Sequence, residues 1–418
     1  MANTSSIFIC LALALVAAEL VLVTNAQSCP NRLRKEIRDL TPKELAAFHD
    51  ATWKLNKDGT MAAFTALHVK HKDLSHFNPS FLPFHRAMLK NYEDKLLAAA
   101  GGALTGLPYW DSTYDANAPE KSVVLSPVFM GTTRAGAQCI LDGPFKGLND
   151  GFGGCVKRDL VGGPWNINQP LLLSIMRSYA TDYAQFEYYL ERGPHFVVHS
   201  NIGGSMASLL LAPDDPIFYL HHAFLDMLWG AWQNANPTAA TAYGGMANGQ
   251  TYTLDDQIMD WKARDLLDFK KNQCYDYQVA QWPKSNVIPA LAAAKANSTN
   301  GGANVPVQPP ANNTIGNFQP FSDQFLSNWN LSRSSMDSAN RVFVLLTKTL
   351  QDMQAQGKSL PTLQDLQNAT AMANFDAAFK RPSATGDAAA TPTPSSAQML
   401  SASIGAAALF AVAAAVLL

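Results

Sequence analysis

Nine histidines punctuate the 418 residues, and their positions are not scattered. His68, His71, His76 and His85 form one group, and His195, His199, His221 and His222 form another. His49 stands apart, no histidine lies between His85 and His195, and none follows His222. Unrelated core or surface histidines would not sort this way. His195 and His199 are four apart, which on a helix puts both imidazoles on one face, able to grip one metal ion. Each group can supply three imidazoles from two helices plus a loop or a third helix. Imidazole suits zinc, copper, iron or nickel. No Asp or Glu stands at metal-ligand spacing to these histidines, which argues against a di-iron carboxylate centre. With no free cysteine expected, a blue-copper site is also disfavoured. Two all-histidine sites in an oxidising compartment point to a pair of coppers.

Something must hold those imidazoles in place, and the intervening sequence reads as helices. In "TPKEL" Thr41 can cap, Pro42 can sit in the first turn and Glu44 can close a capping box, so a helix is expected to run to about Asn56. "MAAFTALHVKH" (61–71) has helical spacing with His68 on the side of Phe64 and Leu67. Pro83 can open a helix over 84–100, closed by Gly101-Gly102. Residues 106–170, rich in Gly and Pro, read as long ordered loops. Further helices are expected at about 170–190, 195–201 and 221–235. The stretch 283–318 has a linker's composition, and 319–380 carries two or three plausible helices. The core is therefore mainly α, packed helices pointing side chains at a shared centre.

The ends and the cysteines speak to compartment. The apolar run Ile7–Ala18 followed by Thr24-Asn25-Ala26 fits a signal peptide over 1–26, although its start lacks Lys or Arg and Glu19 interrupts it. After Lys380-Arg381 a small, polar stretch leads to an almost uncharged tail, 399–418, the pattern of a GPI-anchor signal, with a tail-anchored helix as the alternative. Cys29, Cys139, Cys155 and Cys274 remain once Cys10 leaves with the signal. Four cysteines allow three pairings; the expected one joins Cys139 to Cys155 across a loop and Cys29 to Cys274 at the domain's ends. Sequons at Asn297, Asn312, Asn330 and Asn368 mark a glycosylated C-terminal segment. These features place the chain outside the cell or on its surface. A net charge of −2 gives no reason to expect a nucleic-acid partner. The domain reading is a signal peptide at 1–26, a metal-binding domain at 27–282, a linker at 283–318, a C-terminal extension or stalk at 319–398 and a hydrophobic tail at 399–418.

At this point a resemblance becomes plain. "SHFNPSFLPFHRAMLKNYEDKL" (75–96) resembles the first copper motif of the tyrosinase and catechol oxidase family, type-3 dicopper proteins related to molluscan haemocyanin units. "GPHFVVHSNIGGSM" with "APDDPIFYLHHAFLDMLWGAWQ", within 193–233, resembles the second, and "LPYWD" (107–111) and "CYDY" (274–277) resemble its intervening and closing motifs. The resemblance covers about residues 29–280. It implies a four-helix bundle holding two copper ions. The first would be held by His68, His76 and His85, with His71 the alternative to His68, and the second by His195, His199 and His222. His221 would turn away and support the helix start. It also implies a small phenolic substrate and O2: o-diphenols oxidised to o-quinones, with monophenol hydroxylation as a second activity.

Two departures bear on that activity. Leu74 stands where some members carry a cysteine that forms a thioether, so none is expected. Phe196 stands where efficient monophenol hydroxylases often carry Asn, while Glu191 resembles the acidic partner of the water that Asn helps orient, at a shorter spacing. The balance favours diphenol oxidation. Phe218 resembles an aromatic packed near the site, and Leu209 a residue at the pocket entrance. Asp226 and Asp111 are candidates to fix histidine tautomers, and Arg86 and Glu93 are read as an ion pair between helices. The alternatives are a haemocyanin-like oxygen-binding protein, disfavoured by the single unit and helical C-terminal region, and a structural protein with a decayed site, disfavoured because all six ligand positions are His. Family extensions often cover the site until cut, but sequons and linker composition favour a glycosylated stalk here.

Overall fold

The computed structural model describes residues 29, 32–281 and 321–360, with single residues at 315, 362, 363, 365, 372, 375 and 379. Helix α1 is Pro42–Lys57 and starts as its sequence dictates: Glu44 N–H donates to Thr41 Oγ1 (3.3 Å) and Thr41 N–H to Glu44 Oε2 (2.9 Å). Helices α2 (Thr60–Lys70) and α3 (Lys72–Ser75) follow. Helix α4, Phe81–Ala100, begins three residues before the expected start. Pro83 lies within its first turn, where a missing N–H breaks no helical bond. Gly101, at φ 61°, ends the helix in the left-handed conformation that a side chain would disfavour.

Residues 106–168 form loops with short 3-10 turns and one two-residue strand pair, Gln138–Cys139 antiparallel to Lys157–Arg158. The Cys139–Cys155 disulfide staples this region. The expected helix over 170–190 is two helices, α5 (Gln169–Ser178) and α6 (Tyr183–Leu190), with Asp182 capping the second at Gln185 N–H. A π-turn, Glu191–His195, then leads into α7, Phe196–Ile202. Helix α8 is Pro216–Ala235 and begins five residues before the expected start. Asp215 caps it by accepting from Ile217 N–H (3.0 Å), with Pro216 at the first helical position. The start was hidden because this helix is buried nearly all round, so Ile217–Leu220 show no amphipathic period.

Helix α4 packs against both α1 and α8. A buried charge network fastens these helices to the two ends of the domain. The Asp226 carboxylate on α8 accepts from Arg86 Nε on α4 (2.6 Å), from Arg34 Nη1 (3.2 Å) and from the hydroxyls of Tyr275 (2.5 Å) and Tyr277 (2.6 Å). Arg34 also donates to Glu93 Oε1 (3.0 Å). Strand Arg32–Arg34 runs parallel to Tyr275–Tyr277, and the Cys29–Cys274 disulfide closes the same end. Both expected disulfide pairings are present. Arg86 and Glu93 do not pair with each other, because both lie on α4; each meets a partner from a different segment.

Beyond the core, α9 (Asp323–Asn328) and α10 (Arg333–Ala355) pack back onto it. Phe343 of α10 lies against Gly193 in the π-turn so closely that a Cβ there would stand 2.2 Å from its Cζ. Among the described residues no helix is long and apolar enough to cross a membrane. The expected signal peptide, almost all of the linker and the hydrophobic tail lie outside the described residues.

Candidate metal centre

Three segments deliver the first set of imidazoles. His68 comes from α2, His76 from an extended residue just after α3 (φ −142°, ψ 151°) and His85 from α4. All three are buried, and one ring nitrogen of each lies within 4.8 Å of the others. Their Nδ1 atoms face outward to acceptors: the Leu209 carbonyl for His68 (3.2 Å), Glu191 Oε1 for His76 (3.1 Å) and the Phe81 carbonyl for His85 (2.9 Å). An Nδ1–H donated outward leaves each Nε2 with a lone pair pointing inward. His68 Nε2 and His76 Nε2 are 3.0 Å apart, and His85 Nε2 is buried with no partner among the described residues. His71, the alternative to His68, lies at the end of α2 with its ring beside Phe84.

The second set gathers in the same way. His195 closes the π-turn and His199 lies on α7, with Nδ1 donating to the Glu191 carbonyl (3.2 Å) and the Met206 carbonyl (2.7 Å). The tight Gly203-Gly204 turn that brings Met206 back is crowded. A Cβ on Gly203 would meet the Asp159 carbonyl oxygen at 2.3 Å.

The adjacent histidines of α8 differ. His222 Nε2 faces His199 Nε2 at 3.3 Å, and its ring stacks on His85 with centroids 4.1 Å apart, bridging the two sets. By distance, the second group whose ring nitrogens all lie within 4.8 Å of one another is His195, His199 and His221; His222 approaches it through His199. His221 donates Nε2–H to the His195 carbonyl (3.2 Å), the reverse of the pattern in His68, His76, His85, His195 and His199, and its Nδ1, like that of His222, is buried with no partner among the described residues. His49 is remote, packed edge-on against Phe145 (5.3 Å).

Burial is the first cause of every shift here. It pulls the imidazoles below their ordinary range, His76 and His199 to about 3, with the neighbouring rings adding to the effect for His68, His85, His195 and His222. Neutral rings with converging lone pairs are suited to hold a cation. The donor set, all nitrogen with no carboxylate or thiolate, suits copper.

The remaining expected residues are placed as follows. Phe218 is wholly buried between the sets, 4.2 Å from His222 and 5.4 Å from His68 between centroids. Leu209 contributes through its backbone carbonyl, and its side chain packs at the core's margin. Glu191 is not free to hold a water. Besides His76 it accepts from Phe77 N–H (2.9 Å) and Arg192 Nη1 (3.2 Å). Burial raises both Glu191, to about 7, and its neighbour Glu187, while the Arg192 guanidinium opposes the rise. Asp226 and Asp111 touch no histidine. Asp226 serves the arginine network, and Asp111 accepts from Thr113 N–H (3.1 Å) and Gln169 Nε2 (3.1 Å).

Phe196 lies in an aromatic cluster that includes a residue absent from the expectations, Trp329. This indole, from the turn after α9, is 1% exposed. Its centroid is 5.0 Å from those of His76, His199 and Phe196 and 5.8 Å from that of His195. The segment is therefore no simple stalk over these residues, because its aromatic side chains are buried against the histidines. The signal was available: Phe321, Phe325 and Trp329 recur every fourth residue, an apolar helical stripe that needs a partner.

A family model for the common central domain of tyrosinase matches residues 43–235. The tyrosinase of Streptomyces antibioticus is 30% identical over 276 residues, covering 58% of this chain and 99% of that one. A tyrosinase-like protein of Diaporthe leptostromiformis is 33% identical over 248 residues, 49% of this chain. The chain spans 64% of that relative's length, a little under two thirds. Among solved structures, a polyphenol oxidase from Thermothelomyces thermophila shares the fold, with a TM-score of 0.50 at 21% identity over 59% of this chain and 89% of that one.

Proposed function

Because the chain belongs to the tyrosinase family of dicopper proteins, we propose that it is a phenol oxidase that uses O2 to convert o-diphenols to o-quinones, kept latent by its own C-terminal segment. The observation that carries this reading is the convergence of two neutral histidine triads beneath a buried aromatic cover. We assign the first copper to His68, His76 and His85 and the second to His195, His199 and His222. His222 is preferred to His221 because its Nε2 faces His199 Nε2 and its ring stacks on His85, which puts it between the two sets. When bound, the copper pair supplies a two-electron couple through which O2 accepts electrons from the substrate.

The protein's own contribution is position and exclusion. Outward Nδ1–H bonds fix five of the six tautomers, and Glu191 Oε1 holds the His76 proton in place. Phe218 and Phe196 wall the centre with apolar rings and keep water from it. Phe196 has no amide to orient a water, and Glu191 is saturated by other donors, so neither side chain supports deprotonation of a monophenol. In this reading residues 27–282 form the dicopper domain, and the 319–398 extension covers it through its described residues 321–360. We extend the proposal to secretion and a C-terminal lipid anchor, on the terminal apolar runs; release from membranes by a phosphatidylinositol-specific phospholipase tests the anchor.

The central experiment measures catechol oxidation by the copper-loaded full chain before and after limited proteolysis in the 282–320 stretch. Turnover should be low before cleavage and rise at least tenfold after it. Reversible O2 absorbance without turnover in the cleaved protein would support the oxygen-binding alternative and sink the oxidase reading.

A further inference from the structure

We propose that the C-terminal segment holds a binding site of its own, between α9 and α10, for a small primary ammonium carrying one apolar ring. The inference stands apart from the oxidase reading, because no residue lining this site is assigned to the copper pair. A cavity of about 150 Å³ is lined by Phe321, Leu326, Arg333, Met336, Asp337 and Asn340. Phe321, Leu326 and Met336 are buried and supply its apolar walls. Arg333, Asp337 and Asn340 all come from α10, at spacings of four and three residues that keep them on one helical face. Arg333 and Asp337 are exposed, so the cavity is reached from solvent.

The polar groups decide the class of ligand. The Arg333 guanidinium is already answered, with Nη2 on Asp323 Oδ1 (2.8 Å) and Nη1 donating to the Phe321 carbonyl (3.4 Å). The Asp337 carboxylate has no donor among the described residues. Asn340 Oδ1 is buried and has none either, and a buried acceptor left without a donor is costly. Two acceptors lacking donors thus line the same apolar space. An ammonium has three N–H donors and no acceptor, so one group can serve both. A carboxylate in its place would meet Asp337 as a like charge, and a neutral hydroxyl has a single proton to donate. A cavity of about 150 Å³ takes one benzene-sized ring, which sets the size of the apolar body. Phe321 ties the site to the rest of the molecule, since its ring also meets Phe196 at 6.0 Å and Phe325 at 5.2 Å. A ligand held against Phe321 where it lies adds its binding free energy to the packed form of α9 and α10.

The test uses the copper-loaded full chain and phenethylamine, which is an ammonium at neutral pH and has no phenolic hydroxyl to oxidise. Its affinity by calorimetry is compared with those of phenethyl alcohol and hydrocinnamate, which carry a neutral and an anionic head on a similar body. The amine should bind at least tenfold more tightly than either. Asp337→Asn, at an exposed position that spares the fold, should weaken the amine at least fivefold and leave the alcohol unchanged. Amide hydrogen exchange should slow in α9 and the first turns of α10 and stay unchanged in α4. Equal affinity for the three probes, or undiminished amine binding by Asp337→Asn, overturns the site. Slowed exchange in α4 and α7 with none in α9 and α10 would put the amine on the histidines and overturn it as well. Catechol turnover enters none of these readouts, so either failure leaves the oxidase reading standing.

Discussion

The two histidine sets are built by different means. In the second, His195 and His199 sit in one short stretch and anchor their Nδ1 atoms on Glu191 and Met206, close in sequence. In the first, each imidazole arrives on a separate segment, and two of the three anchors, Leu209 and Glu191, lie more than one hundred residues away in the other half of the site. The first set is thus completed by the segment that carries the second. Glu191 shows this in one residue, its side chain orienting His76 and its backbone carbonyl orienting His195. The lesson is one of dependence. The second set can be disturbed alone, but damage to residues 191–209 reaches the first.

The sharpest test of the difference is on α8. His222→Ala should remove the second copper, retain the first and abolish catechol turnover. His221→Ala removes the bond to the His195 carbonyl and leaves a cavity where the buried ring packed, costs about 2–4 kcal/mol and keeps both metals. Copper content per chain distinguishes the two, and loss of the second copper from His221→Ala but not from His222→Ala would reverse the assignment.

Asp226→Ala is the control that should spare neither set, since the network it anchors ties α4 to α8. Two buried arginines lose their shared partner, and the expected destabilisation is about 3–5 kcal/mol by denaturant unfolding. Burial alone would raise the Asp226 pKa, yet Arg86 and Arg34 hold it below the ordinary carboxylate value. Its contribution to stability is therefore present above the unfolded-state pKa and lost as pH falls. The variant should accordingly lose less stability on acidification than the wild type.

Glu191→Ala probes the dependence directly. It removes the acceptor at His76 Nδ1 while leaving the carbonyl that anchors His195. First-copper affinity should fall roughly 10- to 100-fold with the second nearly unchanged. Glu191→Gln, which retains an acceptor, should recover part of the loss. Equal weakening of both coppers would mean that Glu191 acts through general stability and not through His76.

The smallest expected change is in substrate choice. Phe196→Asn should raise the monophenol-to-diphenol rate ratio in uncovered enzyme; an unchanged ratio would show that this position does not control it.

Much of the scaffold was legible in the chain. The Thr41 capping box, the Gly101 stop and the four-residue spacing of His195 and His199 are local signals, each settled within a turn of backbone. The early starts of α4 and α8 were missed because both helices are buried so completely around their starts that no amphipathic pattern marks them. The π-turn at 191–195 was also illegible, since the histidine spacing alone reads as plain helix. Asp226 and Asp111 look like histidine partners on paper, yet they serve an arginine network and a turn. Which acid meets which imidazole depends on how helices cross.

Ligand type, ligand spacing and the capped helix ends at Thr41 and Gly101 were determined by the sequence itself, because each depends on residues a few positions apart. Only the tertiary structure decided which nitrogen of each histidine faces inward, that Glu191 binds His76, and that Trp329 of the C-terminal segment fills the seat beside His76 and His199. Those outcomes depend on burial among segments more than one hundred residues apart, where desolvation and close packing select partners that no local pattern encodes.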